Sequence, residues 1–275
     1  MWNISLKNSS QEIRTDDSTI STEIQAIILI ILQVLILAGN TLTMLTVLRL
    51  RKRPLVVDVL IFSLSLVDAI NALSSVTIAI LMRFLILRDQ KLPWLLCQAQ
   101  GWCIVAFQMI SVFIISMICF DRFAAIVKPF WHRRQLTCNR TIKIVMLVSL
   151  FSFLAASFPL FGWDSYQQLD WLAMCVFNYR SSYAIFVAII GYIQLIFVLL
   201  SSVGIVYSLR KFSKRQHKLK ARNFPKRNNG CAKTERMQKL RMRTQVKRQS
   251  RQLAKIGMVV VVFFYMSWLP LMVSL

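Results

Sequence analysis

Residues 97–127 read CQAQGWCIVAFQMISVFIISMICFDRFAAIV. No Asp, Glu, Lys or Arg interrupts the stretch before Asp121-Arg122. A helix needs about 20 apolar residues to cross a hydrocarbon core, and this run supplies them. Five further runs of the same kind lie at 24–48, 55–84, 142–163, 183–209 and 254–275. The expected fold is all-α, a polytopic transmembrane helical bundle with six spans. It divides into an extracellular tail (1–23), five spans with their loops (24–209), a basic connector (210–253) and a sixth span (254–275).

Composition agrees. The chain has 275 residues, 56% of them hydrophobic and 16% charged. Soluble domains run nearer half apolar and a quarter charged. Lys and Arg number 34 against 11 Asp and Glu, a net charge of +23. A soluble nucleic-acid binder would set such charge among polar residues rather than beside runs of span length, so no nucleic-acid partner is expected. Seven Gly and six Cys exclude collagen and a disulfide-rich secreted domain.

The charge is not spread evenly. Arg49, Arg51, Lys52 and Arg53 follow the first span; Lys128, Arg133, Arg134, Arg140 and Lys143 follow the third. The connector after the fifth is strongly basic, with Glu235 its one acid. The other loops hold only Arg88, Lys91 and Arg180. The positive-inside rule places these three basic loops in the cytoplasm and the N-terminus outside, with the first span as its own signal anchor. Asn3-Ile4-Ser5 and Asn8-Ser9-Ser10 are then glycosylation acceptors on the outer tail, whereas Asn139-Arg140-Thr141 lies on the inner side.

Polar groups within the spans need a reason, since an acid at membrane depth costs on the order of 2.5–3.5 kcal/mol. Asp68 sits mid-span, with Ser65, Asn71 or Asn40 in reach, and reads equally as a cation site or a packing polar group. Asp121 and Arg122 close the third span as a local ion pair or as ordinary interfacial snorkelling. Among the six cysteines, Cys97 and Cys175 are the pair that falls on the oxidising side, and a disulfide between them is expected. Trp268 and Pro270 mark a bend in the sixth span.

The order of these residues resembles the rhodopsin-like family of G protein-coupled receptors over residues 24–275. Gly39-Asn40 stands in the first span, Asp68 in the second and Cys97 at the head of the third. Asp121-Arg122-Phe123 then ends the third, Cys175 lies in the outer loop, and Trp268-Leu269-Pro270 follows in the sixth. The resemblance implies that Arg122 is an activation switch held by Asp121. It further implies that Asp68 and Ser111, near Asn40, line a pocket for an allosteric sodium ion, and that Trp268 and Pro270 form a hinge. A cell-membrane receptor with an extracellular ligand, lipid or peptide, and a heterotrimeric G protein as partners would follow. The basic connector would shape the G-protein contact or attract anionic lipid.

Several positions depart from the pattern. Phe123 replaces Tyr, Ser267 replaces Cys, no Trp stands near Ser149, and no Pro occurs between 183 and 209. Ile104 stands where amine receptors hold an Asp, which disfavours a monoamine. Pro159-Leu160-Phe161-Gly162, Tyr166, Cys175 and Phe177 are similar to the outer loop of prostanoid receptors, although Trp171-Leu172-Ala173-Met174 replaces their Pro-Gly-Thr-Trp. Six spans leave no place for a seventh helix, so a fragment or shortened product is expected. One alternative is therefore a truncated, non-signalling product that modulates full-length receptors. A six-span transporter or channel would need inverted repeats and more intramembrane charge. An enzyme would need a converging catalytic or metal set, yet His132 and His217 are the only histidines.

Digestion with an N-glycosidase is expected to shift the chain on a gel. Asn3→Gln combined with Asn8→Gln should abolish the shift; a shift that requires Asn139 instead would invert the topology.

Overall fold

The computed structural model describes residues 2–50, 54–169 and 174–222. Helix α1 runs Trp2–Leu50, α2 Val56–Asn71, α3 Thr77–Leu87, α4 Trp94–Val127, α5 Pro129–Gln135, α6 Cys138–Ser157 and α7 Ser182–Arg222. Strands β1 (Tyr166–Leu169) and β2 (Met174–Phe177) pair antiparallel, with Gln168 opposite Cys175. Among the described residues, five segments are long and apolar enough to cross a membrane: Thr22–Arg49, Val56–Leu87, Trp94–Val127, Cys138–Phe161 and Ser182–Ser208. The sixth expected span, 254–275, lies outside the described residues, as do Trp268 and Pro270. Asn3 and Asn8 fall on the first turns of α1, a helix that begins well before the first apolar run.

Proline accounts for where the helices begin and end. Pro54 and Pro93 precede α2 and α4, Pro129 is the first residue of α5, and Pro159 stands in the short 3-10 turn that closes α6. Each occupies a place where the missing amide N–H costs nothing and the fixed φ suits a first turn. At the start of α2 the carboxylate of Asp58 accepts a 2.8 Å bond from the Leu55 amide, a capping interaction that Leu55 makes through its backbone.

The chain forms two compact units, residues 1–114 with 138–187, and 115–137 with the described residues from 188 onward. In the first, a π turn at Ala72–Val76 separates α2 from α3. Such a turn displaces a carbonyl from the α-helical ladder. Gln33 of α1 meets it: its side-chain amide donates to the Ala72 carbonyl at 3.2 Å and to Thr77 Oγ1 at 2.8 Å. The irregular turn is thus a point of attachment for the first span. The third and fourth spans join through Trp102, whose indole N–H donates to Ser157 Oγ at 2.9 Å and whose ring stacks on Phe153 at 5.4 Å.

The β-hairpin in the loop after α6 is an element that the apolar-run reading did not anticipate. The Cys97–Cys175 disulfide ties it to the head of α4. Two fully enclosed amides beside that disulfide hold the hairpin backbone. Gln98 accepts from the Tyr166 amide and donates to the Tyr166 carbonyl at 2.8 Å, and Gln100 accepts from the Cys175 amide at 2.9 Å. The Tyr166 ring lies against the backbone of Gly101, where a Cβ would overlap it. Its hydroxyl donates to the Ala156 carbonyl at 2.7 Å. Burial, reinforced by Tyr183 and Asp164, pushes that phenol well above its usual range, so it stays a neutral donor.

Large apolar side chains elsewhere point outward; Leu35, Met146, Leu147 and Leu200 are 62–68% exposed. Together with helices whose amides are satisfied internally, this is the surface that lipid requires.

Replacing Cys97 by Ala is expected to cost about 2–4 kcal/mol, the usual effect of a disulfide closing a long loop. The melting temperature of the detergent-solubilised chain should fall accordingly. Gly101→Val should lower it as well, by displacing Tyr166; unchanged melting in both variants would show that the hairpin seat carries no stability.

Candidate functional site: a buried carboxylate between Arg122 and His132

Two polar clusters lie at membrane depth or at its edge, one in each unit. In the first unit, Ser111 Oγ of α4 donates to Asp68 Oδ1 of α2 at 2.8 Å. Ser111 is buried, and its hydroxyl orients the acid. The sequence also placed Asn40, Ser65 and Asn71 within reach of this carboxylate. Asn40 instead donates to the Ile36 carbonyl of its own helix at 2.9 Å. Asn71 accepts from Ser75 at 2.6 Å, bracing the π turn. Ser65 is buried on α2. Of the expected polar core, Asp68 and Ser111 are brought together and Asn40 is not. A carboxylate and a hydroxyl are hard oxygen donors of the kind a small hard cation takes. Among the described residues no group of three His, Cys, Asp or Glu side chains is placed to hold a metal ion.

In the second unit, Asp121 is 1% exposed at the end of α4. Arg122 Nη2 stands 2.6 Å from its Oδ2. Adjacent residues on a helix point about 100° apart, so this pair forms only because the long guanidinium folds back. The other oxygen, Oδ1, lies 2.7 Å from Nε2 of His132. A carboxylate only accepts, so the imidazole carries its proton on Nε2.

Local sequence explains how His132 arrives there. Lys128 ends α4, its amide bonded to the Ala124 carbonyl at 2.9 Å. Pro129 then starts a new helix, and His132 lies one turn into it. Trp131 packs edge-on against Phe120 at 6.2 Å, and Phe120 contacts Phe197 of α7 at 6.0 Å. These rings seat α5 beneath Asp121. Phe123, in the place where Tyr is usual, lies over Gly204 of α7; a Cβ there would come within 2.5 Å of the ring.

The sequence located Asp121 and Arg122 but not His132, which it weighed only for a catalytic or metal set. The signal was present in Pro129-Phe130-Trp131-His132: a proline at a helix start, then an aromatic residue able to dock the turn.

The profile of the 7 transmembrane receptor (rhodopsin family) matches residues 39–275. The chain belongs to the rhodopsin family of seven-transmembrane receptors. The fold of this rhodopsin-family chain is similar to the crystal structure of squid rhodopsin. The TM-score is 0.75 at 21% identity, over 93% of this chain and 67% of that one. The Gq-coupled rhodopsin of Mizuhopecten yessoensis is 25% identical over 182 residues, 64% of this chain and 34% of that protein. Melanopsin of Branchiostoma belcheri is 34% identical over 104 residues, and G-protein coupled receptor 161 of Mus musculus 22% identical over 196. The chain spans 15–38% of the length of the first three curated relatives it matches. It is a multi-pass membrane protein of a receptor family rather than an enzymatic one.

Ser111→Ala removes the hydroxyl that orients Asp68 and leaves a half-buried carboxylate oxygen without its donor. The expected cost is about 1–3 kcal/mol, seen as a lower melting temperature in detergent. Melting equal to that of the parent chain would show that the bond contributes nothing.

Proposed function

We propose that this chain is the transducing part of a receptor that couples an extracellular ligand to a heterotrimeric G protein, with its N-terminus outside the cell. The observation that carries the reading is the Asp121–Arg122 pair. A guanidinium is always charged, and here the buried Asp121 carboxylate restrains it at the cytoplasmic end of a span. Any change that draws Asp121 away frees a cation for a partner on that side. The basic segments 49–53 and 128–143 support the inward orientation of this end.

Asp68 and Ser111 are the residues that would hold a sodium ion, their two oxygens already 2.8 Å apart. When bound, the ion would supply charge that keeps Asp68 ionised and the second and third spans together. Trp268 and Pro270 would serve as the hinge, Asn3 and Asn8 as glycosylation sites. For the ligand we propose a prostanoid or another lipid, a reading supported by the outer-loop residues Pro159, Leu160, Gly162, Tyr166, Cys175 and Phe177. The printed name of the Mizuhopecten yessoensis relative makes a Gq protein the first transducer to try.

Nucleotide exchange on purified Gq and on other heterotrimers, measured in membranes holding the chain, tests the reading. Arg122→Ala is expected to reduce receptor-dependent exchange by at least ten-fold, the effect of about 1.4 kcal/mol of lost coupling. Exchange that persists at the parent level would remove Arg122 from the switch.

A further inference from the structure

We propose that Arg83 and Gln100 together seat the carboxylate of an amphiphilic ligand in the outer part of the bundle. The inference rests on the receptor reading given above and names the chemistry of its ligand. Arg83 lies four positions before the end of the second apolar segment, Val56–Leu87, and is 5% exposed. A guanidinium keeps its proton and offers five N–H donors in a planar fork. Ordinary snorkelling would leave that head in water. Here protein covers it, on the face of α3 that also buries Ala79 and Met82. A permanent cation enclosed within a span is expensive and marks a site of function.

Gln100 of α4 is fully enclosed. Its Oε1 accepts from the Cys175 amide, and its Nε2 has no acceptor among the described residues. A buried donor left unanswered is costly, and an anion answers it. The two groups come to one level. Cys103 of α4 hydrogen-bonds Ser74 in the π turn, so these two residues mark equal depth. Outward from them Arg83 is nine residues along and Gln100 three, a difference of about 9 Å at the helical rise. Side chains lean toward the N-terminus of their own helix. Successive spans run in opposite directions, so the guanidinium leans inward and the amide outward, and their lengths close that gap. A planar carboxylate then takes a forked pair from Arg83 and a third bond from Gln100 Nε2. Arg88 and Lys91, exposed beside Asp89 further out, give an incoming anion a positive margin. The enclosed side chains nearby, Ala79, Met82 and Phe107, are apolar and suit a ligand whose other end is hydrocarbon.

The experiment follows melting of the chain in phosphatidylcholine nanodiscs against oleate and methyl oleate, which share a tail and differ in the charge of the head. Oleate is expected to raise the melting temperature saturably and methyl oleate to leave it unchanged. Arg83→Gln should raise the oleate concentration needed for half the shift at least ten-fold, as loss of a charge-assisted contact does. Arg83→Lys keeps the charge without the fork and should fall between. Gln100→Glu keeps the acceptor that the Cys175 amide uses but sets a second anion beside Arg83. It should abolish the oleate shift in a chain that still folds. Equal shifts with both lipids, no shift with either, or an oleate response untouched by Arg83→Gln or by Gln100→Glu would overturn the proposal.

A second readout needs no ligand. With the two heads at one level, the new acid of Gln100→Glu pairs with Arg83. Melting in a double-mutant cycle of Gln100→Glu with Arg83→Gln should therefore be non-additive. Additive shifts would overturn the juxtaposition by themselves. The oleate pattern in a chain that activates no G protein would keep the site and defeat the receptor reading. Nucleotide exchange that depends on Arg122, beside an oleate response indifferent to Arg83, would do the reverse.

Discussion

Hydrocarbon offers no hydrogen bond, so each polar group carried into it has to be answered by another part of the same chain. That constraint shapes the whole molecule. In the described spans it makes the chain helical, puts prolines at the helix ends, and meets the irregular turn with a neighbour's side chain, as Gln33 does at Ala72. It also explains why the acids at depth are so few. Asp68 and Asp121 are each oriented by a named donor, Ser111 in one case and His132 with Arg122 in the other.

The same rule operates at the outer mouth, where the donors and acceptors are peptide groups rather than carboxylates. The hairpin after α6 is too short to be stable alone, since an isolated pair of four-residue strands is marginal in water. Gln98 and Gln100 complete its hydrogen bonding from the side of α4, and the disulfide fixes the distance between the two. Gly101 clears the space in which Tyr166 lies flat. Cys97, Gln98, Gln100 and Gly101, at the head of one helix, are thereby committed to the loop.

The first five spans and the two ends of the third were readable in the sequence because the signals are strong and one-dimensional: long uncharged runs, interrupted by basic loops. The Cys97–Cys175 pairing was readable from topology, as the cysteines that share a compartment. What remained hidden depends on approach between segments distant in sequence. Gln98 and Gln100 look like ordinary polar residues at a helix start until the hairpin backbone arrives. Asn40 looked like a partner for Asp68, yet a same-helix carbonyl four residues away takes its amide. His132 lies eleven positions beyond Asp121, and only the break at Pro129 folds it back. The β-hairpin was missed because its strands are short and mixed in polarity.

The π turn at Ala72–Val76 bears on how this chain should be lined up with others. One extra residue in a turn rewinds everything beyond it by about 100° relative to an unbroken α-helix. Counting outward from Asp68 therefore names the wrong wall for each side chain of α3, Met82 and Arg83 included. A sequence that lacks the insertion will present, at the same ordinal position, a residue from the neighbouring quarter of the helix. Equivalence in the outer half of this span has to be drawn from superposed backbones rather than from column number.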